Sequence, residues 1–206
     1  MANGHFAEAR RDFENAIARG ERAARLDLGL LLSLNSAGMS DVPRAISLLN
    51  QAWEHGVTAA AFELGTLYEN GINRPGNDRD RLLNPDSARA WAWYRRGADV
   101  GEARALARFA ARAEDAAISE DDVAKRNALL LDSFKYYAAA SERSRIEDWP
   151  DDAWRTWRYR RASLARVLAR EGMMREVADG FDDIRKRYAP APTTWQQLTS
   201  LIGLTN

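Results

Sequence analysis

Small and apolar residues return along this chain at helical spacings of three, four and seven, and the pattern itself repeats. Gly20, Gly56 and Gly101 bring the repeats into register. Eleven residues before them stand Ala9, Ala45 and Ala90, and seven before stand Phe13, Leu49 and Tyr94. Four before come Ala16, Ala52 and Gly97. Four after come Ala24, Ala60 and Ala105, and eight and nine after come Leu28-Gly29, Leu64-Gly65 and Phe109-Ala110. The first two units lie 36 residues apart and the next two 45 apart, which is the same period with nine residues inserted. A period of this length marks stacked supersecondary units.

The spacing puts Ala9, Phe13 and Ala16 on one helix face, so each unit predicts two antiparallel helices that approach closely, small residue against large. The aligned glycines stand where a helix must end. A lone hairpin cannot bury its apolar face, so neighbours must stack. The expected fold is all-α, an αα-superhelix (solenoid) of stacked antiparallel helical hairpins with about ten helices. No stretch alternates with period two over β-branched residues, so no strand is expected. The insertion, Ile72 to Asn84, is expected as a loop. Tyr137 occupies the place of a terminating glycine, which predicts a helix running on to about Arg145. Trp149-Pro150 then breaks the chain. Leu164, Leu168, Gly172, Val177, Phe181 and Ile184 mark the seam and turn of a last hairpin, closed by Pro190. Thr194 to Gln197 has capping-box spacing, and Trp195, Leu198, Leu201 and Ile202 predict a short amphipathic lid. The chain opens on the second helix of a hairpin, Phe6 to Arg19, without its partner. A natural start and a piece of a longer protein both fit that opening.

Two stretches resemble a known family. AFELGTLYENG at 61–71 followed by AWAWYRRGA at 90–98 looks like the Sel-one-like repeat, within the tetratricopeptide-like superfamily. The likeness covers roughly residues 6–135. The last hairpin, Arg161 to Pro190, is similar to the tetratricopeptide pattern, with Arg161 in place of the usual tryptophan. The resemblance implies a right-handed solenoid that binds proteins or peptides, such as an adaptor in a bacterial secretion, envelope or signalling system. An immunity protein neutralising a cognate toxin is the alternative it allows. The expected layout is a single repeat domain over 1–206: Sel-one-like repeats over 1–145 with the insertion at 72–84, a tetratricopeptide-like hairpin over 146–190, and a capping helix over 191–206. The family has a disulfide-rich subset, from which this chain, without cysteine, departs.

Composition narrows the chemistry. Thirty basic residues balance thirty acidic ones, so a polyanion-binding excess is missing and nucleic acid is an unlikely partner. All but three of the basic residues are arginine, a bias that a GC-rich genome imposes. Without cysteine there is no thiol nucleophile and no thiolate metal site. No zinc-protease, phosphate-loop or nucleophile-elbow motif occurs. His55 stands at a helix end, where the dipole favours a cation, and Glu120-Asp121-Asp122 and Asp151-Asp152 stand at helix starts, where it favours acids. The expectation is therefore no catalysis, no cofactor, no metal and no membrane insertion. Oligomeric state is open. The chain as written reads as cytoplasmic, and as periplasmic if a signal peptide precedes it.

Candidate partner-binding residues follow from the resemblance, which implies that the first helix of each pair lines the concave face. Its inward-looking positions include Thr66, Glu69 and Asn70 in one repeat, Arg104 in the next, and Tyr159, Arg166 and Arg170 in the last hairpin. Trp91 is a further candidate. Its counterparts are Arg10 and Ile46, so its place is not consistently apolar, and tryptophan is favoured at interface centres. The run Trp154 to Arg161 interleaves aromatics with arginines, the composition of nucleic-acid or anionic-peptide contacts, so nucleic-acid binding through this helix is a third, less favoured reading. Helical spacing separates it into a core stripe of Trp154, Trp157, Leu164 and Leu168 and an outer stripe of Arg155, Arg158, Tyr159 and Arg166.

Overall fold

The computed structural model describes residues 2–34, 40–74, 77–146 and 153–188. Among them lie nine helices and one two-stranded sheet. The chain divides into two compact units, 1–105 and 106–206. The proposed capping helix over 191–206 lies outside the described residues, as does Trp149-Pro150.

The first unit contains α1 (Ala2–Ala18), α2 (Ala23–Ser33), α3 (Val42–Glu54), α4 (Ala59–Asn70), α5 (Ser87–Asp99) and the first turn of α6 (Ala103–Ile118). From α1 to α4 each helix packs on the next, α4 packs on α5, and α2 also meets α4. Successive hairpins therefore stack in sequence order. The aligned glycines end their helices in the left-handed region, with φ of 88° at Gly20, 85° at Gly56 and 81° at Gly101. Each end is closed by the same two bonds. The glycine N–H donates to a carbonyl three residues back: Gly20 to Ile17 (3.0 Å), Gly56 to Trp53 (2.9 Å) and Gly101 to Ala98 (3.0 Å). The next N–H donates five back: Glu21 to Ala16 (3.0 Å), Val57 to Ala52 (2.9 Å) and Glu102 to Gly97 (2.8 Å). A side chain at Gly20 or Gly56 would meet nothing within 4 Å, so backbone conformation selects glycine there, not crowding.

Other glycines are selected by crowding. A Cβ at Gly29 would lie 2.9 Å from Leu49 Cγ, and one at Gly65 would enter the ring of Tyr94. The same rule operates in both hairpins: the small residue nine after one glycine receives the large residue seven before the next. At Gly97 a Cβ would meet those of Ala105 (3.0 Å) and Ala61 (3.3 Å). Leu28, Ala45, Leu49, Leu64 and Tyr94 are wholly buried along these seams.

The insertion is not a loop. It forms β1 (Ile72–Arg74) and β2 (Asn77–Leu83), an antiparallel pair with Ile72 opposite Leu83 and Asn73 opposite Arg81. The expectation of no strand is corrected here. The sequence NDRDRLL carries little strand propensity. What fixes the hairpin is its apolar base: Ile72, Leu82 and Leu83 pack against Val42, Ile46 and Leu67. Gly71, at φ 66°, lets the chain turn where a Cβ would lie 2.5 Å from the Leu83 carbonyl. Asp86 then caps α5, accepting from the Arg89 N–H at 2.9 Å.

The second unit holds the rest of α6, α7 (Val123–Ile146), α8 (Ala153–Arg170) and α9 (Met174–Tyr188). As the missing glycine predicts, α7 continues past Tyr137. It packs on both α8 and α9. Its run from Ser133 to Ser141 is almost entirely buried, and small residues permit that. Two buried hydroxyls turn back on the helix itself, Ser141 to the Tyr137 carbonyl (2.7 Å) and Ser144 to the Ser141 carbonyl (3.0 Å). Asp122 caps α7 through the Lys125 N–H (2.9 Å), so that acidic cluster does work at a helix start. Gly172, at φ 79°, repeats the paired closure, with Gly172 N–H to Ala169 (3.2 Å) and Met173 N–H to Leu168 (2.9 Å).

Candidate functional site

In the first unit the structure brings three of the sequence-predicted residues, Thr66, Glu69 and Trp91, around one buried ring. The ring is Tyr94, on α5. It rests on Gly65, which is the only residue type that lets it approach α4 so closely. Its hydroxyl donates to Glu69 Oε2 (2.8 Å) and lies 3.3 Å from Thr66 Oγ1. Thr66 and Glu69 are therefore both partners of Tyr94. Trp91, one turn before it, meets the ring edge-on with centroids 5.4 Å apart. Phe62 closes the other side at 5.7 Å.

Arg104 completes the patch from the start of α6. Its Nη1 lies 2.5 Å from Glu63 Oε1, its Nε 2.9 Å from Glu102 Oε1, and its guanidinium sits 4.3 Å from the centroid of Phe62. Glu102 is only 4% exposed. Burial of that carboxylate is offset twice: by Arg104 and by the Ala105 N–H, which donates to Oε2 at 2.6 Å. Glu102 thus caps α6 and holds Arg104 at once. Polar side chains of α4 and α6 bind one another here. Asn70 stands at the exposed end of α4, outside this lattice.

Sequence reading missed Phe62, Glu63 and Glu102 as members of the patch. Continuing the stripe of Thr66 and Asn70 back by one turn would have found Phe62 and Glu63. Tyr94 read as core, which it is. Its hydroxyl chemistry depends on the closeness of α4 and α5, which the sequence does not state. Arg74 and Asp80 pair across the β-hairpin at 2.5 Å, and Arg79 and Arg81 are exposed.

The other three predicted residues lie together on α8 in the second unit. Trp157, Leu164 and Leu168 are buried and fix the inner face of that helix. Tyr159, Arg166 and Arg170 point away from it, with Tyr159 69% exposed. Arg160 pairs with Glu114 at 2.9 Å and Arg161 with Glu142 at 3.7 Å. Burial pushes the pKa of Arg161 down, opposed by Glu142. Arg155 and Arg158 lie 5.5 and 5.3 Å from the ring of Trp154, which is half-buried and not fully core as its stripe suggests. Arg166 and Arg170 have no ion pair among the described residues.

Among the described residues no group of three histidine or acidic side chains is placed to hold a metal ion, and no helix is long and apolar enough to cross a membrane. No family model matches the sequence. No curated protein matches it. Two crystal structures are among those similar to it. One is a Sel1 repeat protein from Oxalobacter formigenes, 19% identical, with a TM-score of 0.44, covering 87% of this chain and 79% of that one. The other is c5321, a protective antigen of uropathogenic Escherichia coli strains displaying an SLR fold, 13% identical, with a TM-score of 0.42. It covers 93% of this chain, which spans 51% of that one. The likeness is one of fold.

Proposed function

We propose that the chain is a protein-binding scaffold with no reactive centre: a fixed helical body whose outward side chains engage a polypeptide partner. The observation that supports this reading best is the division of labour among polar side chains. Around Tyr94 they are spent on one another and hold helices together. On α8 the exposed ones, Tyr159, Arg166 and Arg170, are not used by the described parts of the fold. A stiff body with an uncommitted, chemically marked face suits recognition, because little conformational freedom is lost on binding. An adaptor in a bacterial secretion, envelope or signalling system is the setting that fits.

The test is affinity capture by the full chain from a nuclease-treated lysate of its native host. A polypeptide partner that survives nuclease treatment and washing is expected. Recovery abolished by nuclease, or no retained polypeptide, contradicts the proposal. A single partner held with about nanomolar affinity would mark a dedicated inhibitor in place of an adaptor.

A further inference from the structure

We infer that the outer face of α8 docks an acidic polypeptide segment through Arg166 and Arg170, with Tyr159 as its apolar contact. This rests on the scaffold reading and names the partner's chemistry. Over its 18 residues α8 carries six arginines and no acid, in a chain whose charges cancel overall. The inner face is fixed by Trp157, Leu164 and Leu168, so the outer face is fixed too. At about 100° per residue, steps of seven and four place Tyr159, Arg166 and Arg170 within roughly 40° of arc. Two of the six arginines are neutralised, Arg160 by Glu114 and Arg161 by Glu142. Arg166 and Arg170 are exposed, and no carboxylate among the described residues pairs with them.

The occupant follows from charge and size, since arginine is the usual basic residue throughout this chain. Arginine matches a carboxylate with two parallel hydrogen bonds, and lysine does not. The stripe from Tyr159 to Arg170 is about 16 Å long and one helix wide, the length of about three turns of a partner helix. Tyr159 offers an exposed ring beside the charges, which suits a segment carrying one apolar side chain among acids. A nucleic acid fits less well, since the chain as a whole carries no basic excess. Residues 189–206 contain no acidic side chain, so that stretch does not supply the occupant. Residues 147–152 carry four acids, but Arg166 stands thirteen positions beyond Ala153, the first residue of α8, about 20 Å along the helix.

The test uses the full chain and a fluorescent helical peptide of about twelve residues, with glutamates one and two turns apart and one leucine, followed by anisotropy. Binding that weakens with salt is expected. The double variant Arg166→Glu with Arg170→Glu should bind about ten-fold more weakly or worse, since two attractive contacts become repulsive. The same peptide with lysine in place of glutamate should regain affinity for that variant. Arg175→Glu, on α9 with a side chain 91% exposed, should change nothing. Unchanged thermal unfolding of each variant separates binding from folding. No binding by the wild type, equal binding by the double variant, or tighter binding of a single-stranded oligonucleotide of equal charge overturns the inference. Capture of the native partner undiminished in the double variant would overturn this docking site and leave the scaffold reading standing. Capture by neither protein would overturn both.

Discussion

Gly65→Ala places one methyl group where the fold has no room for it. The new Cβ would lie 2.5 Å from Tyr94 Cδ1 and 3.0 Å from its Cζ, and nearer still to Cε1. The ring has nowhere to go. It is fully buried, flanked by Phe62 and Trp91, and its hydroxyl donates to Glu69. Overpacking of this kind costs about 1–3 kcal/mol. Displacing the ring also weakens a hydrogen bond to a carboxylate, worth about 1.5–3 kcal/mol. Alanine returns about 1 kcal/mol of helix propensity. The net expectation is a loss of about 2–4 kcal/mol, read by urea unfolding with circular dichroism and tryptophan fluorescence as coincident probes. In the Tyr94→Leu background the same substitution should cost far less, with a coupling of at least about 1 kcal/mol. Stabilisation of the wild type by Gly65→Ala, as an open helical position would give, refutes the argument.

Three further outcomes follow from other parts of the molecule. Gly172→Ala meets no atoms within 4 Å, so its cost comes from the left-handed backbone alone, about 1–2 kcal/mol by the same unfolding assay. Arg10 and then Arg44 hold the carboxyl of Glu14 below its ordinary value of 4.5, through bonds of 3.1 and 2.8 Å. A depressed folded value means that the stabilisation is full above the unfolded value and fades as pH falls through the folded one. Calorimetry should therefore show a shallower acid loss of Tm for Glu14→Gln than for the wild type. Reversal of Arg166 and Arg170 should leave Tm nearly unchanged, since neither side chain pairs with a carboxylate among the described residues.

The repeat was legible because its causes are local or periodic. A left-handed helix end requires glycine, so Gly20, Gly56, Gly101 and Gly172 stand out as letters. A small residue that receives a large one leaves the same mark in each hairpin, as Gly29 with Leu49 and Gly65 with Tyr94 do. The continuation of α7 was legible from the missing glycine at Tyr137. The β-hairpin was not legible. Its strands carry Asn, Asp and Arg, and their pairing depends on Ile72, Leu82 and Leu83 finding Val42 and Ile46, residues distant in sequence. The outer face of α8 could be read because three buried residues fix its rotation. The patch around Tyr94 could be read only in part. Thr66, Glu69, Trp91 and Arg104 were marked one by one. Their meeting depends on how closely α4, α5 and α6 approach, and Glu102 carries no mark beyond following Gly101.

The central claim, a fixed body that binds through its outer side chains, is tested most directly by hydrogen exchange on the full chain with and without its captured partner. Slowed exchange over 153–170, with 61–68 and 90–98 unchanged, is the predicted result. Widespread slowing through those two interior stretches, as when a loose body orders on binding, would contradict it.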